Sequence, residues 1–588
     1  MRSRVLTKAI CWLAVLLCVG LADAQTFPRL KPIPPRGPRN AVSAANSAPA
    51  LVASAAVATA LSATSSSGPS SPWQPLTNQP PFTTNDCNGG FPGAANPLLL
   101  TDGSVIVQDA GCPDWWRLTP DSSGSYANGT WTQIASLPAG YSPLYHSSAV
   151  LPDGRVIIEG GEYNVYQGVY FTPIWTAEGA IYDPVANSWT SVAPPPFFDV
   201  QETVLPPPFA PIFAQTIGDA QGVILPNGTF MQADCCTSEM ALLNAKTLTW
   251  TQTGAGKYDP NDEEGWTLLP NGKVLTVDAY VPIPPFPYIP DGTNSELYDP
   301  ASGTWQSAGS TIVQLWDSGL TCGEFNAPSP TPTFEVGPAV LRADGTVFYT
   351  GSNTCPDGAG PTAIYNSRTG QWRVGPIFPV VNGVTDINIA DGPASWEPNN
   401  KVLMMASPSF GSPPSFFFEW DGRHLNQVPG PPNAPFDGSY YGNMLVLPTG
   451  QILLTDFSGD IELYNPTITW EDREFESRIA PVIFDAPLLL ARGKSYQVHG
   501  TGFSGVTQGA AYGDDVQAAT NFPLVRITNL QTSHVTYSRT HDHSSMALAS
   551  PAVVSTHFDV PAVQEPGLSL LQVVTNGIAS QPWLVFVF

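Results

Sequence analysis

The chain is predicted to be all-β: a seven-bladed β-propeller followed by a C-terminal β-sandwich. Three observations lead there. Gly (52) and Pro (62) are abundant and aromatic residues reach 11%, which with short apolar runs favours many strands and turns. A strand–turn–strand unit recurs seven times. About 110 residues without that unit follow it, patterned with period 2.

Residues 1–24 read as a secretory signal. Arg2, Arg4 and Lys8 precede the apolar run Ala9 to Leu21, and Ala22-Asp23-Ala24 fits a small-x-small cleavage site before Gln25. The run is short for a membrane span, and no later stretch could cross a bilayer. The mature chain is expected to be exported, extracellular or periplasmic, and monomeric. Residues 25–72 are rich in Pro, then Ala and Ser, with few large apolar groups, and are expected to be a disordered linker.

The propeller is expected over 73–477. Its repeated turn reads Thr101-Asp102-Gly103, Pro152-Asp153-Gly154, Pro226-Asn227-Gly228, Pro270-Asn271-Gly272, Ala343-Asp344-Gly345, Pro398-Asn399-Asn400 and Pro448-Thr449-Gly450. Pro presets φ and Gly tolerates positive φ, so each copy can reverse the chain between two apolar strands. Spacing runs from 44 residues (Asn227 to Asn271) to 74 (Asp153 to Asn227), within reach of kelch-type blades with loop insertions. A second signature, Tyr182-Asp183-Pro184 to Trp189, Tyr298-Asp299-Pro300 to Trp305 and Tyr365-Asn366 to Trp372, supplies a third and fourth strand. Its Tyr and Trp residues are expected to pack between blades. The stretch Trp73-Gln74-Pro75-Leu76 has no inner strands before it and is expected to close the ring on the last blade; Thr469-Trp470 is the competing candidate. From 478 to 588, strands are expected at Tyr496–His499, Leu524–Thr528, Val535–Ser538, Leu568–Val574 and Trp583–Phe588.

Charge narrows the partners. Net charge is −25 with 12% charged residues, which argues against a basic patch to replace phosphate counterions, so nucleic acid is not expected as a partner. Six cysteines follow the signal, an even number that fits pairing in an oxidising compartment. Cys87 with Cys112, and Cys322 with Cys355, flank equivalent ends of the first and fifth blades, and each bridge would contribute roughly 3 kcal/mol. Cys235 and Cys236 form either a vicinal disulfide or two free buried thiols.

Each inner strand begins near the propeller axis. Eight residues before the turn's central position stand Ala94, Tyr145, Asp219, Glu263, Val336, Asp391 and Tyr441, with His146, Asp262, Glu264, Glu335 and Tyr440 beside them. Carboxylates, tyrosines and a histidine should therefore converge on one mouth. They could hold a cation, attract cationic ligands, or merely cap strand starts. His541 and His543 lie two apart and could hold a metal or bond locally.

Seven kelch-like blades followed by such a sandwich resemble galactose oxidase and the glyoxal oxidases, the copper radical oxidase family, over Trp73 to Phe588. The resemblance implies an early-set, immunoglobulin-like C-terminal domain and copper on the propeller axis. It also implies that Tyr145 takes the place of the cross-linked tyrosine, Tyr440 of the axial tyrosine and His534 of the C-terminal histidine. The family's stacking aromatic falls near Glu162-Tyr163. Tyr441 stands where the family has histidine, which removes a nitrogen ligand, and no cysteine lies near Ala94 for the thioether; Cys87 is the nearest. The expectation is a galactose oxidase-like protein with a degenerate copper site that binds extracellular glycan or surface polymer. The alternative is a copper radical oxidase of primary alcohols or aldehydes that produces hydrogen peroxide; both readings leave Tyr145, Tyr440, Tyr441 and His534 as the candidate site.

Overall fold

The computed structural model describes residues 71–82, 93–166, 169–171, 174–203, 209–279, 292–317, 334–352, 358–408 and 411–588. The expected signal, nearly all of the expected linker, and Cys87, Cys322 and Cys355 fall outside them.

Seven four-stranded antiparallel blades follow in chain order. Blade 1 comprises Ala94–Leu99, Val105–Asp109, Trp115–Thr119 and Thr130–Gln133; blade 2, Ser147–Val150, Val156–Glu159, Gly179–Asp183 and Ser188–Val192. Blade 3 runs from Gly222–Ile224 to Thr249–Thr253, blade 4 from Thr267–Leu268 to Thr304–Ser307, and blade 5 from Ala339–Leu341 to Gln371–Val374. Blade 6 is Ala394–Trp396, Val402–Pro408, Phe416–Trp420 and Leu425–Val428. The inner two strands of each blade are buried almost throughout, as Val105–Asp109 and Val156–Glu159 illustrate, because neighbouring blades cover both faces. The outer strands are wet, as Thr130–Gln133 is.

Blade 7 is closed by the first described strand. Its own strands are Asn443–Val446, Ile452–Thr455 and Glu462–Tyr464, and Trp73–Pro75 adds the fourth in antiparallel register, Trp73 opposite Tyr464. Trp73 buries its ring against Phe417 and Tyr464, at 4.9 and 5.0 Å between centroids, and its Nε1 donates to the Pro429 carbonyl at 2.6 Å. Thr469-Trp470 is therefore not the closing strand. Instead Trp470–Ile479 is an α-helix with a capping box between Thr469 and Asp472. The signature aromatics pair across the third and fourth strands of their own blade, Tyr182 with Trp189, Tyr298 with Trp305 and Tyr365 with Trp372, all at 5.0–5.5 Å, and each indole also reaches the preceding blade, where Nε1 donates to Ala135 O, Met240 Sδ and Ser295 Oγ respectively at 2.8–2.9 Å.

After the helix, Val482–Asp485, Ser495–Thr501, Val554–Asp559, Val535–His541, Leu524–Asn529, Gly567–Thr575 and Trp583–Val587 pair in that order. They enclose an apolar core of Val498, Val525, Ile527, Phe558, Leu571 and Val585. Val554–Asp559 was not among the expected strands. This region leans on the turn face of the propeller. Thr540 N donates to Thr101 O at 3.0 Å, His543 N to Pro152 O at 3.0 Å and Met546 N to Pro226 O at 3.0 Å. Among the described residues no helix is long and apolar enough to cross a membrane.

Between Ser495–Thr501 and Leu524–Asn529 the chain leaves its own sheet and enters the propeller axis as a finger. Ala510–Ala511 pairs antiparallel with the inner strand of blade 6, and Trp396 N donates to Gly509 O at 2.7 Å. The Gln508 side-chain oxygen accepts from Leu268 N of blade 4 at 2.7 Å. The finger is rich in small residues because the inner strands converge there. A Cβ on Gly265 would sit 2.2 Å from Gly513 O, and one on Gly513 would sit 2.4 Å from Asp391 Oδ1.

Candidate functional site at the propeller mouth

The residues just before the inner strands do converge. Three of them, Tyr145, Glu263 and Asp391, hold equivalent positions in blades 2, 4 and 6 and share left-handed backbone, with φ of 54°, 59° and 56°. A non-glycine residue adopts that conformation at a cost. Its recurrence at every second blade turns each side chain out of the strand direction and into the mouth.

Tyrosines fill one side. The Tyr145 ring lies 4.9 Å from Tyr440, 5.3 Å from Tyr163 and 6.1 Å from Tyr512, centroid to centroid. Tyr163 Oη and Tyr440 Oη are 3.1 Å apart, and Tyr512 Oη donates to the Tyr440 carbonyl at 2.8 Å. Burial, then neighbouring tyrosines and carboxylates, hold the Tyr145 and Tyr440 phenols well above the usual range. Tyr441 follows in a single 3₁₀ turn, Ser439–Tyr441, half-buried and in ring contact with Tyr440 and Phe457.

Carboxylates fill the other side. One oxygen from each of Asp219, Asp262 and Glu263 lies within 4.8 Å of the others, and the same holds for Glu263, Glu335 and Asp391. The finger adds Asp514 and Asp515, both buried. Burial, then the charge of Asp514, pushes Asp219 up to about 8. Burial dominates for Asp391, which is pushed up to about 7. Glu162, Glu263, Glu335 and Asp514 are also raised, by burial first and then by one another. Desolvation and like charge act in the same direction here. Glu162, Asp262, Glu263 and Tyr441 are half-buried and reach solvent.

Of the four candidate residues, Tyr145, Tyr440 and Tyr441 come together and His534 does not join them. His534 sits in the hairpin before Val535–His541, half exposed, with Nδ1 2.7 Å from Glu565 Oε1. The next residue's N–H donates to Ser122 O at 2.8 Å, so the hairpin lies on the blade 1 loops rather than at the mouth. The residue that the C-terminal region delivers to Tyr145 is Tyr512, which the sequence reading missed. Its signal was the Ala-Ala-Tyr-Gly-Asp-Asp stretch, too small and too acidic for a sandwich strand. His146 points away from Tyr145 into the seam between blades 1 and 2. Its Nε2 is 3.1 Å from Gln108 Oε1, its Nδ1 3.2 Å from Ser147 O, and burial pushes its imidazole down to about 4.

Copper(II) takes nitrogen and oxygen donors in a tetragonal set. Around Tyr145 and Tyr440 the described side chains offer phenol and carboxyl oxygens, with no imidazole in contact, and Cys87 lies outside the described residues. This donor set does not fit a copper radical centre. His541 and His543 do not share a site: His541 is bonded to Asp542 and Asp559 and stacks on His557 at 5.4 Å, while His543 Nδ1 is 2.8 Å from Thr556 Oγ1. Of the cysteines, Cys112 is disulfide-bonded, and Cys235 and Cys236 are joined as a vicinal disulfide at the end of Phe230–Ala233.

No protein-family model and no curated protein matches the chain. Solved structures do. A fungal alcohol oxidase in complex with copper aligns at 13% identity and TM-score 0.43, covering 87% of this chain and 99% of that one. YCF48 bound to a D1 peptide aligns at 10% identity and TM-score 0.41, covering 68% and 98%. Virginiamycin B lyase from Staphylococcus aureus aligns at 9% identity and TM-score 0.38, covering 66% and 98%.

Proposed function

We propose that the protein is an exported binding propeller of galactose oxidase-like architecture, without oxidase chemistry, whose mouth takes an extracellular glycan or surface polymer. The observation that carries this reading is the oxygen-only mouth: neither His146 nor His534 faces Tyr145, and Tyr441 and Tyr512 stand there instead. Half-buried Glu162, Asp262 and Glu263 can accept hydrogen bonds from sugar hydroxyls, and Tyr441 offers an aromatic face with a polar tip. The early-set, immunoglobulin-like assignment of 478–588 belongs to the same reading. Alternating burial along Leu524–Asn529 and Gly567–Thr575 supports it.

The test is copper loading followed by a peroxide assay over sugars, primary alcohols and aldehydes, run beside a glycan-binding screen. The expected result is no stoichiometric copper, no peroxide, and glycan binding that Tyr441→Ala weakens. Peroxide production that Tyr145→Phe abolishes overturns the reading in favour of the oxidase. Failure of every glycan and surface polymer to bind overturns the ligand class.

A further inference from the structure

Two clusters of buried acids lie in this propeller, and they are treated differently. In blade 4, Asp259, Glu264, Asp278 and Glu296 surround Lys257. Its Nζ bonds Asp259, lies 2.9 Å from Glu264 Oε1, 3.1 Å from Glu296 Oε2 and 3.9 Å from Asp278 Oδ1, and every member is buried. The chain has supplied its own cation there. At the mouth, Asp219, Glu335 and Asp391 are over nine-tenths buried too, yet no ion pair reaches them or Glu263 among the described residues. Asp219 Oδ1, Glu335 Oε2 and Asp391 Oδ1 have no hydrogen-bond partner, while each carboxylate presents an oxygen toward the others of its triad. Buried anionic oxygens are costly unless paired with a charge or coordinated to a metal.

We propose that the propeller mouth binds hard divalent cations of the calcium class at two adjacent oxygen triads, Asp219–Asp262–Glu263 and Glu263–Glu335–Asp391, which share Glu263. The donors are all oxygen, which suits a hard cation. Their spacing fits as well. Calcium–oxygen bonds of about 2.3–2.6 Å put ligands no more than about 5 Å apart across the ion, and each triad keeps its oxygens within 4.8 Å. Asp262 already belongs to the first triad, and water can complete the six to eight oxygens that calcium takes. Magnesium demands a tighter octahedron at about 2.0–2.1 Å, which carboxylates on four blades and a finger are poorly placed to close. The site stands whether or not a glycan binds beside it.

The experiment uses the full chain stripped with a chelator and titrated with calcium chloride alone at neutral pH, read by calorimetry and by melting temperature. Expected are saturable binding of at least one ion per chain and a melting temperature that rises with calcium and falls again with chelator. Glu263→Gln should weaken binding at least about tenfold, while Glu565→Gln, which bonds His534 away from the mouth, should bind as wild type does. Glu263→Gln also removes one of several mutually repelling carboxyl groups, so its calcium-free melting temperature should equal or exceed that of wild type. Should that variant fail to fold, Asp219→Asn takes its place. No binding to wild type at about 1 mM calcium, the weak end for extracellular calcium modules, overturns the proposal. So does a Glu263→Gln protein that binds as tightly as wild type.

Discussion

Glu159 shows how a single side chain can oppose the fold it sits in. It lies in the second strand of blade 2, fully buried, with neither carboxyl oxygen hydrogen-bonded, and burial alone raises its pKa well above the usual range. Burial thus favours the protonated carboxyl in the folded chain relative to the unfolded one, so stability falls as pH rises above about 4.5. Glu159→Gln should raise stability at pH 7 by about 1–3 kcal/mol, and the gain should vanish below about pH 4.5, where the carboxyl is protonated in both states. Urea unfolding at both pH values checks this; an equal gain at both would mean that charge is not the cause. His146 runs the other way. Its imidazole is pushed from 6.5 down to about 4, so the unfolded chain binds the extra proton and stability is lost as pH falls between those values. His146→Asn should lose about 3 kcal/mol less than wild type over that window, at about 1.4 kcal/mol per pH unit. Unfolding midpoints that fall in parallel for the two proteins would contradict the assignment. Both residues stand in a sequence that reads only as a strand. The environment of His146 comes from Gln108 and Trp115 of the blade next door, which no local pattern records.

Elements were legible where they repeat. Pro-Asp-Gly between two apolar runs marks a hairpin in any one copy, and seven copies define seven blades; the closing strand followed because Trp73 had no partners of its own. Its contribution can be measured. Trp73→Ala removes the ring from between Phe417 and Tyr464 together with the bond to Pro429. It should cost about 3–5 kcal/mol, read as a shift in the denaturant midpoint. A loss below about 1 kcal/mol would mean that the ring holds without its seam. Elements outside the repeat were harder. The helix Trp470–Ile479 buries none of its residues, so it has no apolar stripe to find; its sequence mark is the capping pair, Thr469 and Asp472, and the stretch reads as a candidate strand instead. The finger was hidden for a related reason. Its small residues serve neighbours in blades 2, 4 and 6 rather than a face of their own sheet, so the stretch matches no period.

The whole molecule is tied together at both ends of the axis, and this decides what the sequence could show of the site. Mouth residues contributed by the propeller could be located by counting eight back from each turn. The C-terminal contribution could not, because register across more than 350 residues of chain is set by packing. His534 therefore lies at Glu565 and Tyr512 at Tyr145. On the other face, the repeated turns of blades 1 to 3 serve a second purpose, receiving backbone donors from Thr540, His543 and Met546. Docking below and a finger through the middle should make propeller and C-terminal strands unfold together. Gly513→Val tests that coupling, since any Cβ there would lie 2.4 Å from Asp391 Oδ1 and 2.8 Å from Val336 O. Pushing the finger back should cost about 1–3 kcal/mol. In a coupled molecule, calorimetry gives one transition that moves down as a whole. If the two regions were independent, wild type would melt in two steps and only the C-terminal one would move. The same variant should also blunt any ligand effect at the mouth, because Tyr512, Asp514 and Asp515 ride on the finger that the valine displaces.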